Sequence, residues 1–352
     1  MIIMKLKRSF LATGGYSNEV GILGLGTKQF KLPKKEFKQA IILLNYLNEE
    51  KSIELIHNYM LKKKIPESML KKLIDANLIV SKDIEKTDDM DFKNKLYSQA
   101  ISLDPDIVSH KLHNMTIIIA GCGGIGNFLG YALSTYTPEK LILIDGDKIE
   151  RSNLNRQFLF KNTDIGDYKV NVLKRELNLR NPKLNISTIN KYVTEETFAE
   201  IKNFKQNDNY LAILSGDSME AVKGTTNFCV KNEIPFLNVG YLNDISVVGP
   251  FYIPNETSCP FCGNALSLDE NKDSYTTNIL DEINSRYEAP SSFTNNSLAA
   301  SIAMSDILQY ANGNIENIKS LNSRFGVDNV SFKTYTIQVP KDKSCKFCGE
   351  NK

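Results

Sequence analysis

The residues with the clearest chemical pattern are a run of glycines, 121–126 (GCGGIG), and the acid that follows them. The run separates the apolar stretch 117–120 from a segment with helical character, and a second apolar stretch, 141–144, ends on Asp145. This order predicts the phosphate-binding βαβ unit of a doubly wound α/β domain, with Asp145 on the ribose hydroxyls. A tight strand–helix packing turn is the alternative. The glycines assigned to the phosphates are Gly121, Gly123, Gly124 and Gly126.

Two cations after Asp145 argue against a dehydrogenase. Arg156 and Lys169 both follow the acid within one βα step, and NAD binding requires neither of them. A fixed cationic pair beside a glycine-rich loop suits a triphosphate whose α-phosphate is attacked, because negative charge builds up on its oxygens. We therefore predict catalytic roles for Arg156 and Lys169.

A later acid is a candidate magnesium ligand. The apolar stretch 211–214 is followed by Ser215, Gly216 and Asp217, so Asp217 comes just after the carboxyl end of a predicted strand. Doubly wound sheets place ligand-contacting groups there, and Mg²⁺ prefers one or two carboxylates plus phosphate oxygens. The alternative is an N-cap for the next helix.

Four of the six cysteines form two CxxC pairs, each followed by glycine. Four thiolates are the ligand set of a tetrahedral structural zinc site, which leaves no open position for catalysis. Disulfide pairing is the alternative. The predicted ligands are Cys259, Cys262, Cys345 and Cys348, whereas Cys122 and Cys229 are interpreted as small apolar core residues.

Composition limits the class of protein. The chain has 352 residues, 41% of them apolar, and a formal net charge of +2. This length predicts a large α/β domain plus a smaller one, and the near-neutral charge gives no reason to expect nucleic acid or an anionic membrane as partner. With no secretory signal and with paired CxxC cysteines, we expect a cytoplasmic protein.

The pattern divides the chain into three parts. Strands, three helices and a strand in residues 1–80 predict a winged-helix-like module, and the charged segment 81–91 is interpreted as a linker before a domain over 92–352. The module is either a packing extension or a peptide clamp, in which a sheet edge captures an extended substrate by strand addition.

The motifs together resemble the ThiF/MoeB/ubiquitin-activating superfamily of ATP-dependent adenylating enzymes. The resemblance rests on GxGGxG, D-x-D at 145–147, the S-N-L-x-R-Q run at 152–157, the downstream Lys169 and the later Asp217. It implies a Rossmann-like adenylation domain over 92–352 that uses ATP or another NTP, Mg²⁺ and Zn²⁺ and forms a homodimer. It also implies further nucleotide contacts from Asp147, Asn153 and Gln157.

The chain departs from this superfamily at two places. Members place an arginine before the first strand, reaching into the neighbouring subunit's ATP, whereas the spacing here puts Lys93 at that position. Lysine keeps the charge but lacks the fork of hydrogen-bond donors.

The second departure concerns a cysteine. Members that proceed to a thioester use a cysteine after the first CxxC pair, and residues 264–292 contain none, which favours a reaction that stops at phosphoryl chemistry.

Within the superfamily the chain most resembles the MccB-type, microcin C peptide-adenylating enzymes. GCGGIGN, RQFLF at 156–160, the segment 238–250 and INSR at 283–286 carry this resemblance. It implies adenylation of a short ribosomal peptide ending in Asn, with a succinimide and then a nucleotide–peptide phosphoramidate, in antibiotic maturation. The alternatives are MoeB/ThiF-type activation of a sulfur-carrier protein and a non-enzymatic peptide-recognition partner.

Overall fold

A computed structural model of the chain describes residues 5–17, 19–82, 84–201, 204, 209–216, 218–264, 279–280 and 282–349. Contacts between Cα atoms divide it into two compact units, 1–109 and 110–352. None of the described helices is long and apolar enough to cross a bilayer.

The described residues up to 80 in the N-terminal unit form two three-stranded antiparallel sheets and three helices. One sheet has the order β5-β1-β6 and the other the order β2-β3-β4. The strands are β1 (Lys5–Arg8), β2 (Gly14–Tyr16), β3 (Val20–Leu23), β4 (Phe30–Pro33), β5 (Lys51–Ser52) and β6 (Ile79–Val80), and the helices are α1 (Lys34–Tyr46), α2 (Ile53–Lys63) and α3 (Glu67–Asp75).

One apolar core holds this unit together. The inward faces of the three helices supply buried residues such as Phe37, Ile56 and Leu73, which pack with Leu6 and Leu32 from the sheets. The ends of α2 follow ordinary capping rules, since Ser52 accepts a hydrogen bond from Leu55 N at the start. The chain leaves α2 through Lys64 in the left-handed region, with φ 54°.

The boundary between the two compact units follows Ser109, which is later in the chain than the linker that we predicted at 81–91. Two further helices, α4 (Phe92–Ala100) and α5 (Pro105–His113), follow that segment, and α4 groups with the N-terminal unit. The reason is a buried polar contact: Gln99 Oε1 accepts from Ser9 Oγ at 3.2 Å, and Gln99 O accepts from Asn77 Nδ2 at 2.7 Å.

The C-terminal unit is an α/β sheet of eight strands in the order β14-β13-β12-β11-β10-β7-β8-β9. Strands β11, β10, β7, β8 and β9 run parallel, and β12, β13 and β14 continue the sheet antiparallel. The strands are β7 (Thr116–Ala120), β8 (Lys140–Ile144), β9 (Ile186–Ile189), β10 (Tyr210–Leu214), β11 (Phe236–Leu242), β12 (Ile245–Tyr252), β13 (Ser323–Asp328) and β14 (Thr334–Gln338).

Helices connect the parallel strands as a doubly wound sheet requires. Every residue of β7 and β10 is buried, which explains their unbroken apolar sequences. The connecting helices are α6 (Gly124–Ser134), α7 (Lys169–Arg180), α8 (Glu195–Phe198) and α9 (Met219–Lys231). A further helix, α10 (Phe293–Asn312), lies between β12 and β13 in the sequence. The predicted α/β fold class is confirmed.

The structure differs from the sequence pattern at three elements. The sequence pattern predicts a helix over 195–204, whereas α8 ends at Phe198. It also predicts a strand over 330–339, whereas β14 begins only at Thr334 because residues 328–333 form a turn. The strand β13 was not predicted, since its sequence SRFGVD does not alternate between apolar and polar residues. Gly326 in β13 lies where a Cβ would be 2.9 Å from Ile245 Cγ2, so close strand packing selects glycine there.

Candidate nucleotide site and four-cysteine cluster

The glycine loop between β7 and α6 is held closely against the end of β10. Gly121 has φ +98°, and a Cβ on it would be 2.8 Å from Gly216 N. Ser215 Oγ donates to Gly121 O at 2.7 Å, which links the two strand ends. A Cβ on Gly126 would be only 2.2 Å from Gly121 O. Gly121 and Gly126 are therefore required for the loop to pack, whatever it binds.

Gly123 differs from these two, because a Cβ on it would have one described atom within 4 Å, at ordinary van der Waals distance. The nearest atom to a Cβ on Gly123 is Gln157 Nε2, at 3.7 Å. Gln157 is only 2% exposed, and its Oε1 has no hydrogen-bond partner in the described part of the chain. A buried amide with an unsatisfied oxygen beside this glycine is what a site built to receive polar ligand groups would show. The loop thus fits a nucleotide better than a packing turn alone.

Asp145 organises the loop through both of its carboxylate oxygens. Oδ2 accepts from Cys122 N at 2.7 Å and Oδ1 accepts from Asp147 N at 2.8 Å. Burial raises the pKa of Asp145, while the charge of Lys169 and the two backbone N–H donors act to lower it. The acid is therefore fixed in orientation at the carboxyl end of β8, where a ribose-binding acid belongs.

Lys169 is a buried cation at the first position of α7. Its side chain is 8% exposed, and its Nζ lies 2.6 Å from Asp147 Oδ2. A second contact fixes the same pair, because Lys169 N donates to Asp147 O at 3.0 Å. A hydrogen bond with Asp147 raises the pKa of the exposed Tyr192 phenol, so that phenol also lies beside the pair. The structure thus brings the D-x-D motif and Lys169 together.

Arg156 and Asn153 lie in the turn after β8. Arg156 Nη1 donates to Ser152 O at 3.0 Å and to Asn155 Oδ1 at 2.8 Å, and its guanidinium forms no ion pair within the described part of the chain. Asn153 Oδ1 accepts from Glu150 N at 3.0 Å, so this amide stabilises the turn. Their contacts with a nucleotide remain predictions.

Two predicted residues stay without a structural test. Asp217, the magnesium candidate, lies outside the described residues. Lys93 lies on α4 in the N-terminal unit, with its ammonium 5.7 Å from the centre of the Phe92 ring. Its role at a nucleotide remains a prediction.

Two asparagines that support the loop were missed by sequence reasoning. Asn127 Nδ2 donates to Cys122 O and Gly123 O, each at 3.1 Å, and its Oδ1 accepts from Leu159 N. Asn296 at the start of α10 lies against Gly124, where a Cβ would be 2.3 Å from Asn296 Oδ1. Asn127 could have been found as the residue directly after the glycine run, whereas no signal marks Asn296.

The four predicted zinc ligands form one cluster. Their sulfur atoms all lie within 4.8 Å of one another, and the separations Cys262–Cys348 and Cys259–Cys345 are 3.4 and 3.6 Å. A tetrahedral zinc–thiolate site places sulfurs about 3.8 Å apart, so the cluster fits such an ion. All six cysteines are free, which disfavours the disulfide alternative. Stacked Phe261 and Phe347 join the two CxxC turns, with ring centres 4.1 Å apart.

A comparison with models of protein families shows which family the chain belongs to. The model of the ThiF family matches residues 97–347. The chain belongs to the ThiF family. The superfamily resemblance inferred from the motifs is confirmed, and the Rossmann-like fold with it.

Solved structures of one ThiF-type protein match nearly the whole chain. A crystal structure of E. coli MccB with MccA-N7isoASN has a TM-score of 0.84 and 27% identity, over 98% of this chain and 100% of that one. A crystal structure of E. coli MccB with ATP has a TM-score of 0.82 and 26% identity, over the same shares of the two chains.

Curated relatives match a shorter part. SUMO-activating enzyme subunit 2 of Dictyostelium discoideum is 31% identical over 155 residues, which are 43% of this chain and 23% of that protein. The chain spans about a quarter to a half of the length of the first curated relatives that it matches.

Proposed function

We propose that the chain is an ATP-dependent adenylyltransferase that activates the C-terminal carboxylate of a short ribosomal peptide. The observation that carries this proposal is the likeness to MccB, whose crystal structures hold MccA or ATP, over both units of this chain. A Rossmann-like domain alone would fit many nucleotide enzymes, but the likeness to MccB covers 98% of this chain and therefore extends over the N-terminal unit as well.

The reaction would use the groups of the glycine loop for positioning and charge stabilisation. The peptide carboxylate attacks the α-phosphate of ATP, and pyrophosphate leaves. The N–H groups of the loop, Arg156 and Lys169 stabilise the charge that builds up on the phosphate oxygens. Mg²⁺, when bound, would neutralise phosphate charge, with Asp217 as the candidate ligand. The four cysteines would hold zinc as a structural ion.

The N-terminal unit supports a peptide rather than a folded protein as the substrate. Strand β2 lies at the edge of its sheet and all three of its residues are exposed. No atom of the described residues lies within 4 Å of a Cβ built on Gly15, so another backbone could approach the strand there. Strand addition at this edge would supply the order that a short free peptide lacks. We carry over from the MccB-type resemblance a peptide ending in Asn, the succinimide, the phosphoramidate product and a homodimer.

The test is pyrophosphate release from ATP with synthetic heptapeptides ending in Asn, followed by mass spectrometry of the products. We expect release with a free C-terminal carboxylate and none with the same peptides as C-terminal amides, because the amide cannot attack phosphorus. A product heavier by one nucleotide supports the proposal. Absence of release with every free peptide would overturn it.

Activation of a folded carrier protein is the second candidate, because the chain is also similar to a SUMO-activating enzyme subunit. The same assay with a ubiquitin-like or sulfur-carrier protein distinguishes the two. Release with the folded carrier alone would favour this second function.

A further inference from the structure

A cleft of about 720 Å³ lies in the N-terminal unit, next to the exposed edge strand β2. Thr13 and Gly14 at the start of β2 line it, together with apolar side chains of α1. Two of these, Ile41 and Ile42, are each 41% exposed. The cleft therefore combines free apolar surface with strand backbone, which suits an extended peptide better than a small polar molecule.

The charged residues that line the cleft are both cations. Arg8 comes from the end of β1 and Lys63 from the last turn of α2, and among the residues that the structure describes no acidic side chain lines the cleft. Arg8 donates to the neutral Asn48 side chain, and Lys63 lies 6.0 Å from the centre of the Tyr59 ring. Neither cation forms an ion pair with a carboxylate among the described residues. A ligand in the cleft would meet two positive charges that the protein does not neutralise.

The sequence of the whole module has the same bias. Residues 1–80 contain 14 lysines and arginines and 7 aspartates and glutamates, a formal charge of +7, although the whole chain carries only +2. The near-neutral net charge of the whole chain is therefore the sum of a positive charge in residues 1–80 and a negative charge in the rest of the chain. A basic surface raises the local concentration of acidic partners and speeds their association.

We infer that the cleft selects peptides that carry acidic side chains in the segment next to β2, with Arg8 and Lys63 as the residues that determine this specificity. The inference rests on the proposed function and names the class of peptide. An apolar side chain packs on Ile41 and Ile42, and a neighbouring carboxylate pairs with the cations. A basic peptide is disfavoured because it would place like charges together in the cleft.

Nucleic acid is the other class of ligand that a basic surface attracts. The cleft disfavours it, because it holds two cations and no exposed aromatic ring on which a base would stack; Tyr59 is half-buried, and one ring face lies against Tyr46 at 3.7 Å. Exposed apolar side chains fit peptide side chains instead.

Calorimetric titration of the full-length protein tests the inference. The probes are heptapeptides of alanine and leucine ending in Asn, in which an adjacent pair, Glu-Glu, Gln-Gln or Lys-Lys, is placed at each interior position in turn. We expect the best Glu-Glu peptide to bind about five- to tenfold more tightly than the matched Gln-Gln peptide, with a difference that shrinks as salt is raised. Lys63→Gln and Arg8→Gln should each reduce this preference, and Lys63→Glu with Arg8→Glu should favour Lys-Lys peptides.

Controls separate the inference from its alternatives. Lys62→Gln removes an exposed lysine of the same helix that does not line the cleft, so the preference should persist. Pyrophosphate release is measured with the same peptides. Selective binding without release would support the inference and contradict the proposed function. Equal affinity for all three peptide sets, or displacement of the peptide by a thymidine oligonucleotide in a manner that depends on Arg8 and Lys63, would overturn the inference.

Discussion

The glycine-loop site and the cleft of the N-terminal unit are built in opposite ways. At the glycine loop, backbone N–H groups, a buried carboxylate and a buried lysine are fixed by one another, as the contacts of Asp145 and the Lys169–Asp147 pair show. The cleft instead has exposed apolar side chains and two cations without acidic partners.

This difference indicates which kind of function the glycine-loop site and the cleft can each perform. A preorganised polar site stabilises charge that develops during a reaction, because its groups need no reorganisation. An apolar cleft beside an open strand edge binds through contact area and tolerates changes of side chain, so it suits substrate selection. The comparison predicts that loss of a charged group at the loop removes catalysis, whereas changes in the cleft alter peptide affinity.

The largest effect is expected from the cations of the loop region. Lys169→Ala and Arg156→Ala should each lower the rate of adenylation by roughly 10²-fold or more, because each stabilises charge in the transition state. Pyrophosphate release at saturating peptide and ATP measures this. Lys183→Ala, which removes an exposed lysine of the same unit, is the matched control. Near-normal release by both variants would contradict the nucleotide assignment.

The four-cysteine cluster should matter for stability rather than for chemistry. Native mass spectrometry is expected to show one zinc ion per chain, and Cys348→Ser should lose the ion and lower the melting temperature by roughly 5–10 °C. Cys229→Ala changes a buried cysteine outside the cluster, so this variant should keep its metal. A Cys348→Ser protein with full zinc content would refute the site.

Two glycines of the same loop separate packing from ligand binding. Gly126→Ala would place a Cβ 2.2 Å from Gly121 O and should destabilise the protein by about 1–3 kcal/mol. Gly123→Ala meets no atom closer than 3.7 Å, so it should melt normally yet raise the KM for ATP. Chemical denaturation and ATP titration of the two variants make the comparison. If Gly123→Ala bound ATP normally, the space beside Gly123 would not be a ligand site.

The glycine-loop site and the cleft also differ in how far their residues could be predicted from the sequence. The positions of the glycines, Asp145 and Lys169 were predictable because a nucleotide-binding βαβα segment fixes their spacing, whereas Asp147 came only from the superfamily resemblance; the nucleotide contacts of all of them stay predictions. Cysteine spacing likewise predicted the cluster, although 82 residues separate its two halves. Asn296 was not predictable, because its contact with Gly124 depends on how α10 packs against α6.

The cleft was predictable only as a general expectation of a peptide clamp. Its lining residues come from β1, β2, β3, α1, α2 and the segment before β2, and no repeated spacing connects Arg8, Ile42 and Lys63. The helical spacing of α1 places Phe37, Ala40, Ile41, Leu44 and Leu47 on one inward stripe, and this prediction is wrong for Ile41, which is 41% exposed because no neighbouring element packs over it as fully as over the others.

The smallest effect is expected in the cleft, and it tests the comparison most directly. Ile42→Asp places a charge on the exposed apolar surface that a peptide side chain would cover, and it should raise the KM for peptide about tenfold, a loss of about 1.4 kcal/mol. The KM for ATP should not change, because the glycine loop is complete without the cleft. Leu61→Asp is the control: Leu61 is 76% exposed and does not line the cleft, so this change should leave both KM values alone. If Ile42→Asp raised the KM for peptide and the KM for ATP equally, the cleft would not be a separate site for peptide selection.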